Sequence, residues 1–222
     1  MSKKVYISAS DQTANTYAYG NTTEAIQCGK IAQACKVALE RCGIEVMLGQ
    51  YDTMANRCAE SDKFGADIHL CTHTNAFNGQ VSGTRMFCSS LTGEGYKACK
   101  SIFNVLAPFT PGTSENIKVN NTLFEIKTPK APTVYCEVDF HDVPSVAKWI
   151  IEHTTEIGEK IAEGVCNYFK VSYKAPSTTN TTSNTLYRVQ IGAFSVKANA
   201  EAMLKKAKAA GFTDAFITEV KK

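Results

Sequence analysis

Three side chains in this sequence combine a reactive type with a placement that chemistry could use: Glu24, His73 and Glu137. His73 sits near the end of Ala66-Asp67-Ile68-His69-Leu70-Cys71-Thr72-His73-Thr74-Asn75, a short apolar run that turns polar and follows a helix-like segment stopped at Gly65. Such a run suits a buried strand, and a parallel sheet presents its chemistry at the C-terminal tips of its strands. Successive side chains on a strand alternate faces, so His69, Cys71 and His73 share one, but four residues rise by roughly 13 Å. On an unbroken strand His69 and His73 cannot be neighbouring ligands of one ion; His69 reads as packed and His73 as functional. Glu137 lies in the apolar run 133–140, where a carboxylate is costly unless it binds a cation or works in a cleft. Glu24 falls in the first turn of a helix, where the helix dipole alone would stabilise it.

The elements that position these residues follow from periodicity and punctuation. Residues 4–9 read as a first strand, followed by a polar loop over 10–21 of the kind that usually carries function. Ile26, Ile31, Ala32, Cys35, Ala38, Leu39 and Cys42 then recur at helical spacing up to Gly43, with Thr22 or Thr23 available as cap. A strand over 44–48 and a helix over 54–65 lead into the His73 strand. The order β-α-β-α-β implies right-handed crossovers and a largely parallel sheet. A turn over 78–83, a strand over 84–88, a helix over 95–106 stopped by Pro108 and Pro111, a strand or loop over 122–126, a strand over 133–140 and helices over 144–152 and 154–169 complete the pattern.

The expected fold class is therefore α/β: a mixed, largely parallel sheet flanked by helices, occupying residues 1–173. Residues 174–186 form a Ser/Thr/Asn-rich linker with a flexible reach of about 20 Å. A small α+β piece follows over 187–222, read as strand 187–194, helix 198–210 and strand 215–220. It carries seven Lys/Arg against three Asp/Glu. A piece this small falls below the usual size for folding alone, so pairing with a copy of itself, as a homodimer, or docking elsewhere is expected.

A net charge of +3, with no dense basic patch interleaved with aromatics, argues against nucleic acid. No run is long enough to span a bilayer, and Met1-Ser2-Lys3-Lys4-Val5-Tyr6-Ile7-Ser8 lacks the apolar core of a signal peptide. The nine cysteines, odd in number and without a C-x-x-C pair, read as reduced core residues of a protein made in the cytoplasm.

Residues 3–169 resemble the zinc-dependent N-acetylmuramoyl-L-alanine amidases, bacterial and phage enzymes that cut the bond between muramic acid and the stem peptide of peptidoglycan. The likeness is carried by Gly20-Asn21-Thr22-Thr23-Glu24, by Thr72-His73-Thr74-Asn75-Ala76 and by Val134-Tyr135-Cys136-Glu137-Val138-Asp139-Phe140. Asp52 with Arg57, and Leu123-Phe124-Glu125-Ile126-Lys127 ahead of Ala131-Pro132, support it. The resemblance implies a Zn2+ ion held by Glu24 and His73, with Glu137 as the catalytic residue that takes a proton from water and returns it to the leaving amine. Cys136 must face away from Glu137, which disfavours a cysteine nucleophile. Gln12, Asn75 and Lys118 are expected to contact substrate, and Arg85 with Lys118 to meet its acidic parts.

One departure stands out. The family usually carries its first metal histidine in an Asp-Pro-Gly-His-Gly-Gly turn after strand one, where this chain reads Ser8-Ala9-Ser10-Asp11-Gln12-Thr13. A catalytic zinc takes three protein ligands, so one is missing. His141, four residues beyond Glu137, and Asp11, in the slot of the absent histidine, are the candidates; Gln12, or no third protein ligand, remain open. The C-terminal stretch Tyr187-Arg188-Val189-Gln190-Ile191-Gly192-Ala193-Phe194 with Gly211-Phe212 resembles about half of a SPOR module, which binds glycan strands stripped of their peptides. Together these resemblances imply a peptidoglycan hydrolase of the phage or prophage endolysin type, acting at the bacterial cell wall after release. The alternative is a catalytically degenerate protein that only binds the wall.

Overall fold

A computed structural model describes residues 2–50, 53–176, 190–212 and 215–219. The chain divides into two units, Met1–Pro176 and Ser177–Lys222. In the first, six strands form one sheet: β1 (Lys4–Ala9), β2 (Glu45–Leu48), β3 (Ile68–Asn75), β4 (Arg85–Cys88), β5 (Asn116–Val119) and β6 (Thr133–Phe140). Their order is β2-β1-β3-β6-β4-β5. The first four in that order are mutually parallel, β4 runs antiparallel to β6, and β5 is parallel to β4. The sheet is mixed and largely parallel, as the sequence implied.

Helices cover both faces. On one, α1 (Glu24–Arg41), α3 (Glu94–Leu106), α5 (Pro144–Glu152) and α6 (Thr154–Phe169) bury Ile7, Leu70, Val134 and Cys136 in the main core. On the other, α2 (Met54–Phe64) and the short α4 (Phe124–Lys127) lie against Tyr6, Cys71 and Tyr135. Because β1 pairs with β2 on one side and β3 on the other, the chain leaves β1 in one direction and returns past it. The crevice at the C-terminal ends of β1 and β3 is the topological switch point, where open α/β sheets place their ligands.

All nine cysteines are buried and unpaired, as expected of reduced core thiols. Among the described residues no helix is long and apolar enough to cross a membrane. Two elements differ from the sequence expectation. Strand β5 has no apolar alternation because it is an edge strand whose second half faces solvent, and residues 124–127 form a single helical turn. In the second unit, α7 (Lys197–Ala209) matches the predicted helix. Residues 190–194 and 216–219 are exposed, and neither 190–194 nor 215–219 carries a strand, since among the described residues neither has a strand beside it to pair with. Residues 187–189 and 220 of those predicted strands, Asp52, and 177–186 of the predicted linker lie outside the described residues.

Two glycines set the spacing of the helical layer. A methyl group added at Gly158 of α6 would stand 2.7 Å from the Cys35 amide of α1, and one at Gly164 would stand 2.4 Å from Ile102 Cα of α3. Gly29, on α1, has open space around it. Gly164→Ala is therefore expected to destabilise the protein by about 1–3 kcal/mol through overpacking. Gly29→Ala should stabilise it by about 0.5–1 kcal/mol through helix propensity. Urea unfolding of the two variants, read as midpoints at unchanged slope, checks both signs.

Candidate metal centre

A helix N-terminus leaves its first amide groups without intrahelical partners, and in α1 the loop after β1 supplies them. Asn15 O accepts from Glu24 N at 2.9 Å, Gln12 O from Ala25 N at 3.4 Å, and Thr23 Oγ1 from Ile26 N at 3.5 Å. The start of the loop is tied to the sheet by the Ser10 amide, which donates to Thr72 O at 3.0 Å. The polar loop is thus pinned between α1 and β3. That fixes Gln12, Asn15 and Glu24 beside the tip of β3.

At that tip Glu24 Oε1 lies 2.8 Å from His73 Nδ1, with the Thr74 amide donating to the same oxygen at 3.4 Å. Asn15 Nδ2 donates to Glu24 Oε2 and to Gln12 Oε1, each at 2.8 Å. The parallel register of β3 and β6 sets His73 opposite Glu137 just before a register shift ahead of Asn75. Tyr135, on the same face of β6, stacks on the His73 ring with centroids 4.5 Å apart. One ligand atom each from Glu24, His73 and Glu137 lie within 4.8 Å of one another. Glu137 Oε2 is buried with no hydrogen-bond partner among the described residues.

The electrostatics follow from this crowding. Burial pushes the Glu24 carboxyl up, but hydrogen bonds from His73 and Asn15 more than reverse it and hold it below the ordinary value. Burial likewise opposes a charge on His73, yet the Glu24 hydrogen bond and the nearby Glu137 and Glu24 charges raise it. Glu137 has no such help: burial pushes it up to about 7, the charge of His73 only partly offsetting this. The set is one imidazole, one carboxylate kept ionised and one carboxylate with an orphaned oxygen. It fits a divalent cation, whose charge would relieve the mutual repulsion of the two acids.

The other residues singled out from sequence are placed as follows. The His141 ring is stacked on Tyr17 at 4.9 Å, and its Nδ1 lies 2.9 Å from Thr74 Oγ1 and 3.1 Å from Thr74 O. It lies outside the converging group of ligand atoms. Asp11 is turned away, 3.3 Å from Arg57 Nη2, while Arg57 Nη1 donates to Ala9 O. Gln12 Nε2 approaches His73 Nδ1 to 3.5 Å. Asn75 and Lys118 line a groove of about 350 Å³ with Arg85, Phe87 and Phe140.

His69 is fully buried in a second group with Cys58 and Glu125 on the α2 side of the sheet. There Glu125 accepts from Ser8 Oγ at 2.6 Å and lies 3.3 Å from His69 Nε2 and 3.9 Å from Arg57 Nη2. Arg57 already supplies the positive charge that this carboxylate needs. Sequence reasoning missed Asn15 and Tyr135 at the first group. Tyr135 was detectable, since it shares a face with Glu137 at the two-residue period of a strand; Asn15, inside an aperiodic loop, gave no signal.

A sequence model described as N-acetylmuramoyl-L-alanine amidase matches residues 8–167, and a second, the SPOR domain, matches residues 170–222. The chain is 26% identical over 174 residues to the sporulation-specific N-acetylmuramoyl-L-alanine amidase of Bacillus subtilis (strain 168), covering 77% of this chain and 66% of that protein. It therefore spans just under two thirds of that relative's length. Among solved structures, the catalytic domain of the N-acetylmuramoyl-L-alanine amidase CwlV from Bacillus (Paenibacillus) polymyxa var. colistinus superposes with a TM-score of 0.70 at 17% identity, covering 77% of this chain and 99% of that one. The catalytic domain of an endolysin targeting Clostridia difficile gives 0.59 at 22% identity, covering 74% and 97%. These likenesses establish the shared fold.

Because the Glu137 carboxyl is raised in the folded state, the native protein keeps that proton up to about pH 7, whereas the unfolded chain releases it near the ordinary glutamate value. The stability tied to this proton is complete below the ordinary value and is lost as pH rises through about 7. In chelator-treated protein, the urea midpoint should therefore fall between about pH 5 and 8, and Glu137→Gln, which cannot ionise, should fall less. An identical fall in both proteins would show that Glu137 ionises freely in the folded state.

Proposed function

The chain belongs to the N-acetylmuramoyl-L-alanine amidase family, and from that premise we propose that it hydrolyses the amide between N-acetylmuramic acid and the L-alanine of the stem peptide in bacterial peptidoglycan. The observation that carries this reading is the convergence of Glu24, His73 and Glu137 at the switch point of the sheet. Glu24 and His73 would hold a zinc ion, which, when bound, supplies electrophilic polarisation of the amide carbonyl and acidifies water at the site.

The remaining work falls to the protein's own residues. Glu137, poised near neutrality with one oxygen unengaged, accepts the proton of the attacking water and returns it to the amine nitrogen as the carbon–nitrogen bond breaks. Tyr135 packs on the His73 ring and fixes its plane. Asn15 holds the Glu24 carboxylate ionised and oriented. The groove lined by Asn75, Phe87 and Lys118, with Arg85 at its side, offers cationic and amide groups to the carboxylates of a stem peptide.

The C-terminal unit, matched by the SPOR family, would bind glycan strands already stripped of peptides and so raise the local concentration of the catalytic unit where cutting has begun. Residues 187–222 would achieve this as a homodimer, joined to the catalytic unit, residues 1–173, through the polar stretch 174–186. Nine buried thiols suit folding in a reducing compartment before release to the wall, as an endolysin requires.

Purified sacculi digested with the zinc-loaded full chain should yield peptides with a free N-terminal alanine by mass spectrometry. Glu137→Gln should retain zinc and lose turnover by about 10²–10⁴-fold. New reducing ends in place of free alanine, or a fully active Glu137→Gln, would contradict the reading.

A further inference from the structure

We propose that the third protein ligand of the cation is the carboxamide oxygen of Gln12, and neither Asp11 nor His141. The proposal rests on the metal-centre reading above and specifies its chemistry. His73 Nδ1 is approached by two side-chain ends: Glu24 Oε1 at 2.8 Å and the Gln12 carboxamide at 3.5 Å. Asn15 Nδ2 joins the same two side chains, donating to Glu24 Oε2 and Gln12 Oε1. Gln12 is therefore held in the cluster twice, by its carboxamide and by its backbone carbonyl on the first turn of α1.

The rivals are engaged elsewhere. The Asp11 carboxylate lies against Arg57, which is itself anchored to Ala9 O and near Glu125, so recruiting Asp11 would strip a buried guanidinium of a partner. The His141 ring is fixed by Thr74 and by its stack on Tyr17. Moving it to the cation would break both. Gln12 gives up less, the single bond that Asn15 Nδ2 donates to Gln12 Oε1, and its backbone stays in place. A half-turn of the last torsion exchanges its oxygen for its nitrogen, two ends distinguished only by the partners they meet. A cation between Glu24 and His73 attracts the oxygen and repels the N–H group. The neutral amide also keeps the total ligand charge at that of Glu24 alone, where Asp11 would add a second negative charge beside Glu137.

One imidazole and two oxygens make a harder donor set than two imidazoles and one carboxylate. The site should hold zinc less tightly than a two-histidine site and accept manganese(II) more readily. The test is zinc affinity of the full chain, by competition with a chromophoric chelator, with thermal unfolding to confirm that each variant folds. Gln12→Ala should weaken binding by at least about tenfold, and Gln12→His should restore or exceed the original affinity. Asp11→Asn and His141→Asn should stay within about threefold of the parent. Should Gln12→Ala fail to fold, Gln12→Asn, which keeps the amide but withdraws it by one methylene, should show the same loss. An unchanged affinity in both Gln12 variants, or an equal loss in Asp11→Asn or His141→Asn, overturns the proposal. If Glu24→Gln abolishes zinc binding while Gln12→Ala keeps it, the metal centre stands and this ligand assignment falls; a parent chain that binds no zinc overturns both.

Discussion

A carboxylate buried among apolar side chains must find compensating charge or hydrogen bonds, and Glu24 finds them only where the first turn of α1 meets the tip of β3. Its bond to His73, backed by Asn15 and the Thr74 amide, ties the loop after β1, the first helix and the central strand into one constellation. The helix dipole makes that junction tolerant of negative charge, and the loop carbonyls take up its first amides. The site is thus a consequence of how the β1–α1 connection closes on the sheet.

Glu137 gives the junction its chemical asymmetry. Two acids lie within a few ångströms of one imidazole, and their surroundings push their proton affinities apart. Glu24 is furnished with donors and stays ionised; Glu137 is half-buried on a strand, with one oxygen buried and without a hydrogen-bond partner among the described residues. This division separates a residue that holds a cation from one that moves a proton. The second buried group, around Glu125, shows the contrasting solution: Ser8, His69 and Arg57 satisfy its carboxylate internally.

Much of this was legible in the sequence where a period imposes itself. Alternation placed His73 and Glu137 on strand faces and sent Cys136 to the opposite core, and helical spacing located α1, which Thr23, one of its two candidate caps, closes. What periodicity cannot convey is which strands become neighbours. The pairing of β3 with β6, which sets His73 opposite Glu137, joins segments far apart in the chain. The loop after β1 read as functional, with Asp11 and Gln12 as candidates, but its geometry was not legible, because Gln12 and Asn15 owe their positions to the unpaired amides of a helix that follows them. His141 looked attractive for its element type and proximity in sequence, yet its ring is engaged by Thr74 and Tyr17. The edge strand β5, half solvated, carried no pattern to read.

The account stands on a cation held jointly by Glu24 and His73 with Glu137 beside it. Anomalous scattering at the zinc edge from zinc-soaked crystals of the full chain addresses this directly. The account predicts one dominant peak at bonding distance, about 2.0–2.2 Å, from His73 Nδ1 and a Glu24 oxygen. A dominant peak at Cys58, His69 and Glu125, or none near His73, would contradict it.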